Sequence, residues 1–139
     1  MQYVRCKAER EAEMTPQNEA IRIITDILAA RLGCKIIIGP LPKDGGITAE
    51  LTGGGNKDRY LNNLHGKKSL TVLFLCKDKS QERTAEQLYE IQNCLDSLSS
   101  VEGSQVFVMS AQSRSCPALI GNDGGYYIYS YIAAVDIIF

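Results

Sequence analysis

The sequence predicts one α+β domain, in which two helices pack on a mixed or antiparallel sheet in the order α-β-β-β-α-β-β. Three observations support this prediction. An amphipathic helix lies near the start, an apolar strand leads into a second amphipathic helix at the centre, and a long alternating strand ends the chain. The chain has 139 residues, which is enough for one domain with its own hydrophobic core.

The centre of the chain combines an apolar strand, Leu70–Cys76, with a helix, Ser80–Leu98. Ser80 can cap this helix, because its hydroxyl can accept a hydrogen bond from a free amide of the first turn. The apolar residues of the helix recur every three or four positions and share one face: Ala85, Leu88, Ile91, Leu95 and Leu98. A strand that is apolar on both faces must be covered, so we expect the helix to cover one of them.

The first helix is predicted to begin at Thr15-Pro16 and to end at Gly33. Threonine is a good cap, proline fits the first helical position, and glycine tolerates the left-handed conformation that ends many helices. Two short strands, Cys34–Ile38 and Ile47–Leu51, are predicted to follow this helix.

Two stretches, Thr52–Lys68 and Ala111–Gly125, are predicted to be irregular loops because each is long, polar and rich in turn-forming residues. A strand, Gln105–Ser110, precedes the second of them. The chain ends with a strand over Tyr126–Phe139, whose 14 residues would span ~46 Å. A strand of this length must bend, or extend past the domain towards a neighbour.

Residues 1–13 are charged and weakly patterned, so we expect an N-terminal extension to a single domain of residues 14–139. The formal net charge of −1 argues against bulk electrostatic binding to nucleic acid or to an anionic membrane. No apolar run approaches the ~20 residues that cross a bilayer, and no signal-peptide pattern is visible. The odd number of cysteines, five, is typical of a protein kept in a reducing cytoplasm.

The sequence contains no recognisable site for catalysis, metal or cofactor. His65 lies in a polar stretch, no two cysteines have zinc-ligand spacing, and the glycines of residues 53–55 lack the spacing of a phosphate-binding loop. We therefore predict no enzymatic activity, no cofactor and no small-molecule substrate. The alternative that stays open is a small α+β enzyme or ligand-binding domain with a cysteine-based site at Cys116.

A contact between copies of the chain is the function that the charged and aromatic residues favour. The candidate residues form a basic cluster in the first predicted loop, an acidic stripe on the central helix and a set of tyrosines: Lys57, Arg59, Lys67 and Lys68; Glu82, Glu86 and Glu90; Tyr60, Tyr127 and Tyr129. Like charges four residues apart are unfavourable on a helix, which hints at a basic partner, although a solvated face is the simpler alternative. Tyrosine is enriched at interfaces, but cross-strand packing also explains it. Head-to-tail binding of the basic cluster to the next copy's helix would close into a ring.

Three stretches carry a family resemblance. They are Ser69–Leu98, with Lys-Asp-Lys-Ser-Gln-Glu between strand and helix; the ending Gly-Gly-Tyr-Tyr-Ile-Tyr-Ser-Tyr-Ile; and the opening helix on Thr15-Pro16-Gln17. Over Met14–Phe139 the chain resembles the tail-terminator and minor capsid proteins of long-tailed phages and prophages. These signals are patterns of elements and contain no catalytic signature.

The resemblance implies a non-enzymatic α+β protein with helices packed on a mixed sheet. It implies a ring, commonly a hexamer, that caps the tail tube and provides the surface joined to the head. The implied partners are copies of the chain itself, the tail tube protein and a head-completion protein, with no membrane and no sequence-specific nucleic acid. The implied location is the virion, after synthesis in the bacterial host cytoplasm. The stretch Thr52–Lys68 would contact the next subunit or the tube.

Overall fold

The computed structural model of the protein describes the backbone of residues 15–59 and 66–139, and the side chains of residues 15–52 and 66–139. The expected N-terminal extension, residues 1–13, lies outside the described residues. The helices and strands are α1 (Pro16–Leu32), β1 (Ile36–Ile38), β2 (Gly46–Arg59), β3 (Gly66–Asp78), α2 (Gln81–Asp96), β4 (Val101–Glu102), β5 (Phe107–Ser113), β6 (Ala118–Asp123) and β7 (Tyr126–Ile138). The predicted α+β class and order are confirmed, with two further short strands, β4 and β6.

The strands of the described residues form one seven-stranded mixed sheet. Six of them follow the order β1-β2-β3-β7-β5-β4, and the seventh, β6, pairs with β7. β1 lies parallel to β2, and the other neighbours are antiparallel. β3 and β7 pair in a continuous register, from Lys67 opposite Ile138 to Asp78 opposite Tyr127. Reciprocal backbone hydrogen bonds of 2.7 and 2.9 Å between Gly66 and Phe139 extend the same ladder by one row.

β5 and β6 lie end to end on the same side of β7. β5 pairs with the second half of β7, and β6 pairs with its first half. The corner between them is fixed to Ile132 of β7. Its carbonyl accepts from the Arg114 and Ser115 amides at 2.8 and 3.2 Å, and its own amide donates to Ser115 Oγ at 3.0 Å. The corner therefore passes from one strand to the next without leaving the sheet.

The core lies between one face of the sheet and the two helices. Alternate residues of the central strands point into it: Leu70, Val72, Phe74 and Cys76 from β3, and Tyr131, Ala133, Val135 and Ile137 from β7. Phe74 and Tyr131 are fully buried and stack with their ring centroids 5.9 Å apart. Burying a large apolar side chain of this kind stabilises the fold by roughly 2 kcal/mol. The helices add the residues that close the core: Ala20, Ile21, Ile24 and Leu28 from α1, and Leu88, Ile91 and Leu95 from α2.

The helix ends confirm the signals that the sequence contains. Thr15 Oγ1 accepts from the Asn18 amide at 3.4 Å, and Ser80 Oγ accepts from the Arg83 amide at 3.3 Å. Gly33 has φ of 65°, and its amide donates to the Ala29 carbonyl at 2.9 Å. These local bonds satisfy backbone groups that a helix leaves unpaired at its ends.

Both predicted loops are in large part strand, so this prediction was wrong. The first, Thr52–Lys68, contains the end of β2 and the start of β3, and Gly54 lies opposite Leu70 between two register shifts. The second, Ala111–Gly125, contains the end of β5 and all of β6. The physical reason is that a polar or glycine-rich segment becomes a strand when a well-formed neighbour supplies its hydrogen bonds. β3 and β7 are those neighbours.

Glu19 ties α1 to the turn between β4 and β5. Its carboxylate accepts from Ser104 Oγ at 2.9 Å and from the Gln105 amide at 3.0 Å. Glycine at position 103 leaves room for this contact, because an added Cβ would overlap the Glu19 carboxylate and lie 2.8 Å from Ile23 Cδ1, so both side chains would have to move. Burial alone would raise the pKa of Glu19, but the hydrogen bonds from Gln105 and Ser104 outweigh it and lower the pKa.

We expect Glu19 to contribute to the pH dependence of stability. A carboxylate whose pKa is lowered by folding stabilises the protein above its unfolded pKa, and loses that contribution as the pH falls through its folded pKa. The destabilisation caused by Glu19→Gln, measured by urea denaturation, should therefore be larger at neutral pH than in acid. The control is Glu102→Gln, which removes an exposed carboxylate from β4 nearby. An equal effect of Glu19→Gln at both pH values would contradict the assignment.

Candidate interaction surface

Glu82, Glu86 and Glu90 form an acidic stripe along the exposed face of α2. They are exposed because the opposite face of the helix is buried in the core. The stripe borders a shallow groove of about 380 Å³ whose other lining residues are Ser80, Arg83 and Gln87. Three carboxylates at four-residue spacing repel one another, so the stripe provides a surface that favours a cationic partner.

The candidate basic residues occupy neighbouring backbone positions at the end of β2 and the start of β3. We call this end of the β2–β3 hairpin the basic end. Lys67 is exposed and Lys68 is half-buried at the start of β3. The backbone of Lys57 lies opposite Lys68, and that of Arg59 lies opposite Gly66. The side chains of Lys57 and Arg59, and all of Tyr60 and His65, lie outside the described residues. The backbone register therefore brings together four positions that the sequence had assigned to an irregular loop.

The acidic stripe lies several sheet rows from the described lysines at the start of β3. Beyond the stripe, Gln92 Nε2 of α2 donates to Ser113 Oγ at 3.2 Å, and Asp96 Oδ1 accepts from the same hydroxyl at 3.3 Å. Ser113 lies opposite Ala133, which lies opposite Val72. Lys68 is four residues further along β3, a distance of ~13 Å. This backbone separation exceeds the screening length of ~8–10 Å at moderate salt, and neither Lys67 nor Lys68 forms an ion pair with the stripe.

The tyrosines have mixed roles. Tyr127 and Tyr129 are half-buried on β7, and Tyr129 accepts a hydrogen bond of 3.0 Å from Gln81 Nε2 at the start of α2. Tyr131 is fully buried, and its hydroxyl lies 2.8 Å from Ser113 Oγ. Burial raises the pKa of Tyr131, and the hydrogen bond with Ser113 opposes this effect. Cross-strand and helix packing thus explains much of the aromatic pattern, and Tyr127 and Tyr129 keep a partly accessible surface.

A buried lysine, which the sequence analysis did not single out, lies at the other end of β3. The Lys77 side chain is 8% exposed, and its Nζ lies 3.1 Å from Asp123 Oδ2 of β6. The same Nζ lies 5.2 Å from the centre of the Tyr126 ring, a cation–π distance. Gly45 packs against this site so closely that an added Cβ would lie 2.7 Å from the Lys77 carbonyl oxygen. The pair attaches the β6–β7 hairpin to β3.

Two large apolar side chains on β6 are exposed to solvent. Leu119 is 48% exposed and Ile120 is 59% exposed. Ile120 is the extra residue of a bulge, because Leu119 lies opposite Tyr129 and Gly121 lies opposite Ile128. The polar and turn-forming residues around this surface are typical of a loop and hide it in the sequence, although the run Ala-Leu-Ile is a signal of strand.

The cysteines divide by exposure. Cys76 is fully buried, its Sγ lies 2.9 Å from Gln87 Oε1, and burial raises the pKa of its thiol to about 12. Burial, with a smaller effect of Glu90, also raises the pKa of Cys34. Cys116 is exposed beside the buried Pro117, in the corner between β5 and β6. Cys76 is therefore a structural residue, and Cys116 is the accessible thiol of the corner.

Within residues 15–52 and 66–139, no three His, Cys, Asp or Glu side chains cluster as metal ligands would. Neither α1 nor α2, the helices of the described part of the chain, is long and apolar enough to span a membrane. A comparison with models of known protein families finds no match for the chain, and a comparison with curated proteins also finds none.

We expect Asp123 to stabilise the fold by pairing with the buried ammonium group of Lys77. Asp123→Asn should destabilise the protein by about 1–2 kcal/mol, less than for a fully buried pair because the aspartate itself is 73% exposed. In the double variant Lys77→Met/Asp123→Asn most of this loss should be recovered, because neither charge of the pair remains. Urea denaturation of wild type, Asp123→Asn and the double variant measures both effects. A double variant no more stable than Asp123→Asn would contradict the pairing.

Proposed function

We propose that this chain is a non-enzymatic structural protein of a phage or prophage, which assembles into a ring at the junction of head and tail. The observation that carries the proposal is the separation of the acidic stripe on α2 from the basic end of the β2–β3 hairpin. Among the described residues, no ion pair joins the two surfaces. In the proposal, the complement of each surface comes from a second copy.

The proposed contact joins two different surfaces, so it is heterologous. The basic end of one copy would bind the acidic stripe of the next, and each copy would still present one free surface of each sign. Heterologous contacts of this kind generate a closed ring when the rotation per subunit divides a full turn, and a filament when it does not. A hexamer is the ring size that the family resemblance implies.

The location at the tail is supported by the resemblance over Met14–Phe139 together with the confirmed α+β class. In this proposal the chain is made in the bacterial cytoplasm and becomes part of the virion. One face of the ring would bind the tail tube protein, and the other would bind a head-completion protein. The tyrosines at positions 127 and 129 and the basic end are the candidate contacts beyond the ring itself.

The ring proposal predicts that a charge reversal at the basic end weakens assembly. Lys67→Glu/Lys68→Glu should shift sedimenting species towards monomer at moderate salt, in isolation or with purified tail tubes present as a template. Glu82→Lys/Glu86→Lys/Glu90→Lys should do the same alone, and mixing the two variants should restore assembly because the charges are complementary again. The control is Lys35→Glu/Lys43→Glu, which makes the same charge change on exposed residues elsewhere.

If neither reversal changed the distribution of species and mixing had no effect, the proposed pairing would be wrong. Electron microscopy of tails assembled with and without the wild-type chain then tests the location separately. A protein that terminates tails should leave tubes of variable length when it is omitted.

The enzyme alternative is distinguished by the reactivity of Cys116. A structural protein requires no activated thiol, so Cys116 should react with a disulfide reagent no faster than a cysteine in a short peptide. The difference between wild type and Cys116→Ser isolates its rate from those of the other cysteines. A rate about tenfold higher or more would favour a cysteine-based site, because such sites stabilise the thiolate.

A further inference from the structure

The outer side of β6 is a free sheet edge in the part of the chain that the structure describes. β6 pairs with β7 on one side, and no described strand pairs with the other. In an antiparallel edge strand, half of the backbone amides and carbonyls point outward without a partner. The segment Ala118–Gly121 carries no charge, and its two large side chains are the exposed Leu119 and Ile120.

The edge of the sheet formed by β1, unlike that formed by β6, is protected against the addition of a further strand. β1 has only three residues, Ile36–Ile38. Lys35 precedes it and Pro40 follows shortly after it, and both a charge and a proline oppose the addition of a further strand. At the far end of the sheet, β5 is covered over Phe107 and Val108 by β4. Pro117 directly precedes β6 and a bulge interrupts it at Ile120, but the segment Ala118–Gly121 itself contains no charge and no proline, and no described strand covers its outer side.

We propose that the outer edge of β6 pairs antiparallel with the same edge of a second copy of this chain. The strand is self-complementary in this direction. Arg114 is exposed in the corner four residues before β6, and the apolar pair Leu119 and Ile120 lies within the strand. Asp123 at the end of β6 pairs with Lys77 through Oδ2, but its side chain is 73% exposed and can face a second cation. Placing Leu119 opposite the second copy's Ile120 brings each Asp123 opposite Cys116, two positions from Arg114 of the other copy.

The charges also select the direction of pairing. A parallel arrangement would place the two Asp123 carboxylates side by side, and likewise the two Arg114 guanidinium groups, which is unfavourable. The antiparallel arrangement instead makes Arg114 a diagonal neighbour of the second copy's Asp123, and it places each Leu119 opposite the second copy's Ile120. A two-fold contact is complete after two copies, so the free edge would be consumed without continued growth of the sheet.

This contact is independent of the proposed ring, because it uses neither the basic end nor the acidic stripe. A protein can have one contact without the other. The two proposals therefore fail separately, and variants on β6 distinguish them from variants on Lys67 and Lys68.

The experiment is sedimentation velocity of the full chain over a range of concentrations. Ile120→Lys introduces a charge at a site that is 59% exposed, so it should leave folding intact and weaken the dimer at least about tenfold. The matched control is Ile38→Lys on β1, which changes the same residue type at 47% exposure and should leave the dimer unchanged. Circular dichroism and thermal melting of both variants check that each is folded.

A second variant tests the register. Arg114→Glu places a carboxylate near the second copy's Asp123, so it should weaken the dimer at low salt and less so at high salt. The proposal is overturned if wild type is monomeric at all concentrations, or if Ile120→Lys and Ile38→Lys have the same effect on dimerisation. Larger assemblies that depend on Lys67 and Lys68 but not on Ile120 would support the ring and overturn the β6 contact.

Discussion

The pairing of β3 with β7 is the constraint on which the rest of the structure depends. The two strands share a continuous antiparallel ladder, and Phe74 stacks on Tyr131 near its middle. Every other strand attaches to one of these two or to a strand that does. The alternate residues of the pair form the surface on which α1 and α2 close the core. The positions of the charged and apolar surfaces follow from this arrangement, because it fixes which side of each element is left outside.

The exposed surfaces are consequences of this core. α2 must bury Leu88, Ile91 and Leu95, and the helical period then turns the acidic stripe outward. β3 runs the full length of the sheet, so the basic end lies beyond the rows that α2 reaches. β7 is longer than β5, and β6 fills the remaining part of its side, which leaves an apolar edge with no described strand beside it. Separate surfaces of opposite charge suit the contact between copies that we propose, whereas a catalytic site needs convergent side chains.

The sequence predicted the elements whose causes are local. Thr15, Pro16 and Gly33 define α1, and the apolar periodicity of α2 follows from a helix on a core. Elements whose causes are distant were missed. The end of β2 is rich in glycine and becomes strand because β3 supplies its hydrogen bonds, and β6 exists because β7 does. The burial of Lys77 depends on Asp123, 46 residues away, and no short window of sequence contains that information. The acidic stripe could be predicted residue by residue, but its separation from the basic end required the register.

We propose that this protein functions by binding copies of itself through complementary charged surfaces. The most direct test is the mass of the wild-type assembly, measured by sedimentation at increasing salt with and without purified tail tubes. We expect assemblies larger than a dimer at low salt that dissociate as salt screens the charges. A monomer or dimer under every condition, including in the presence of tubes, would contradict it.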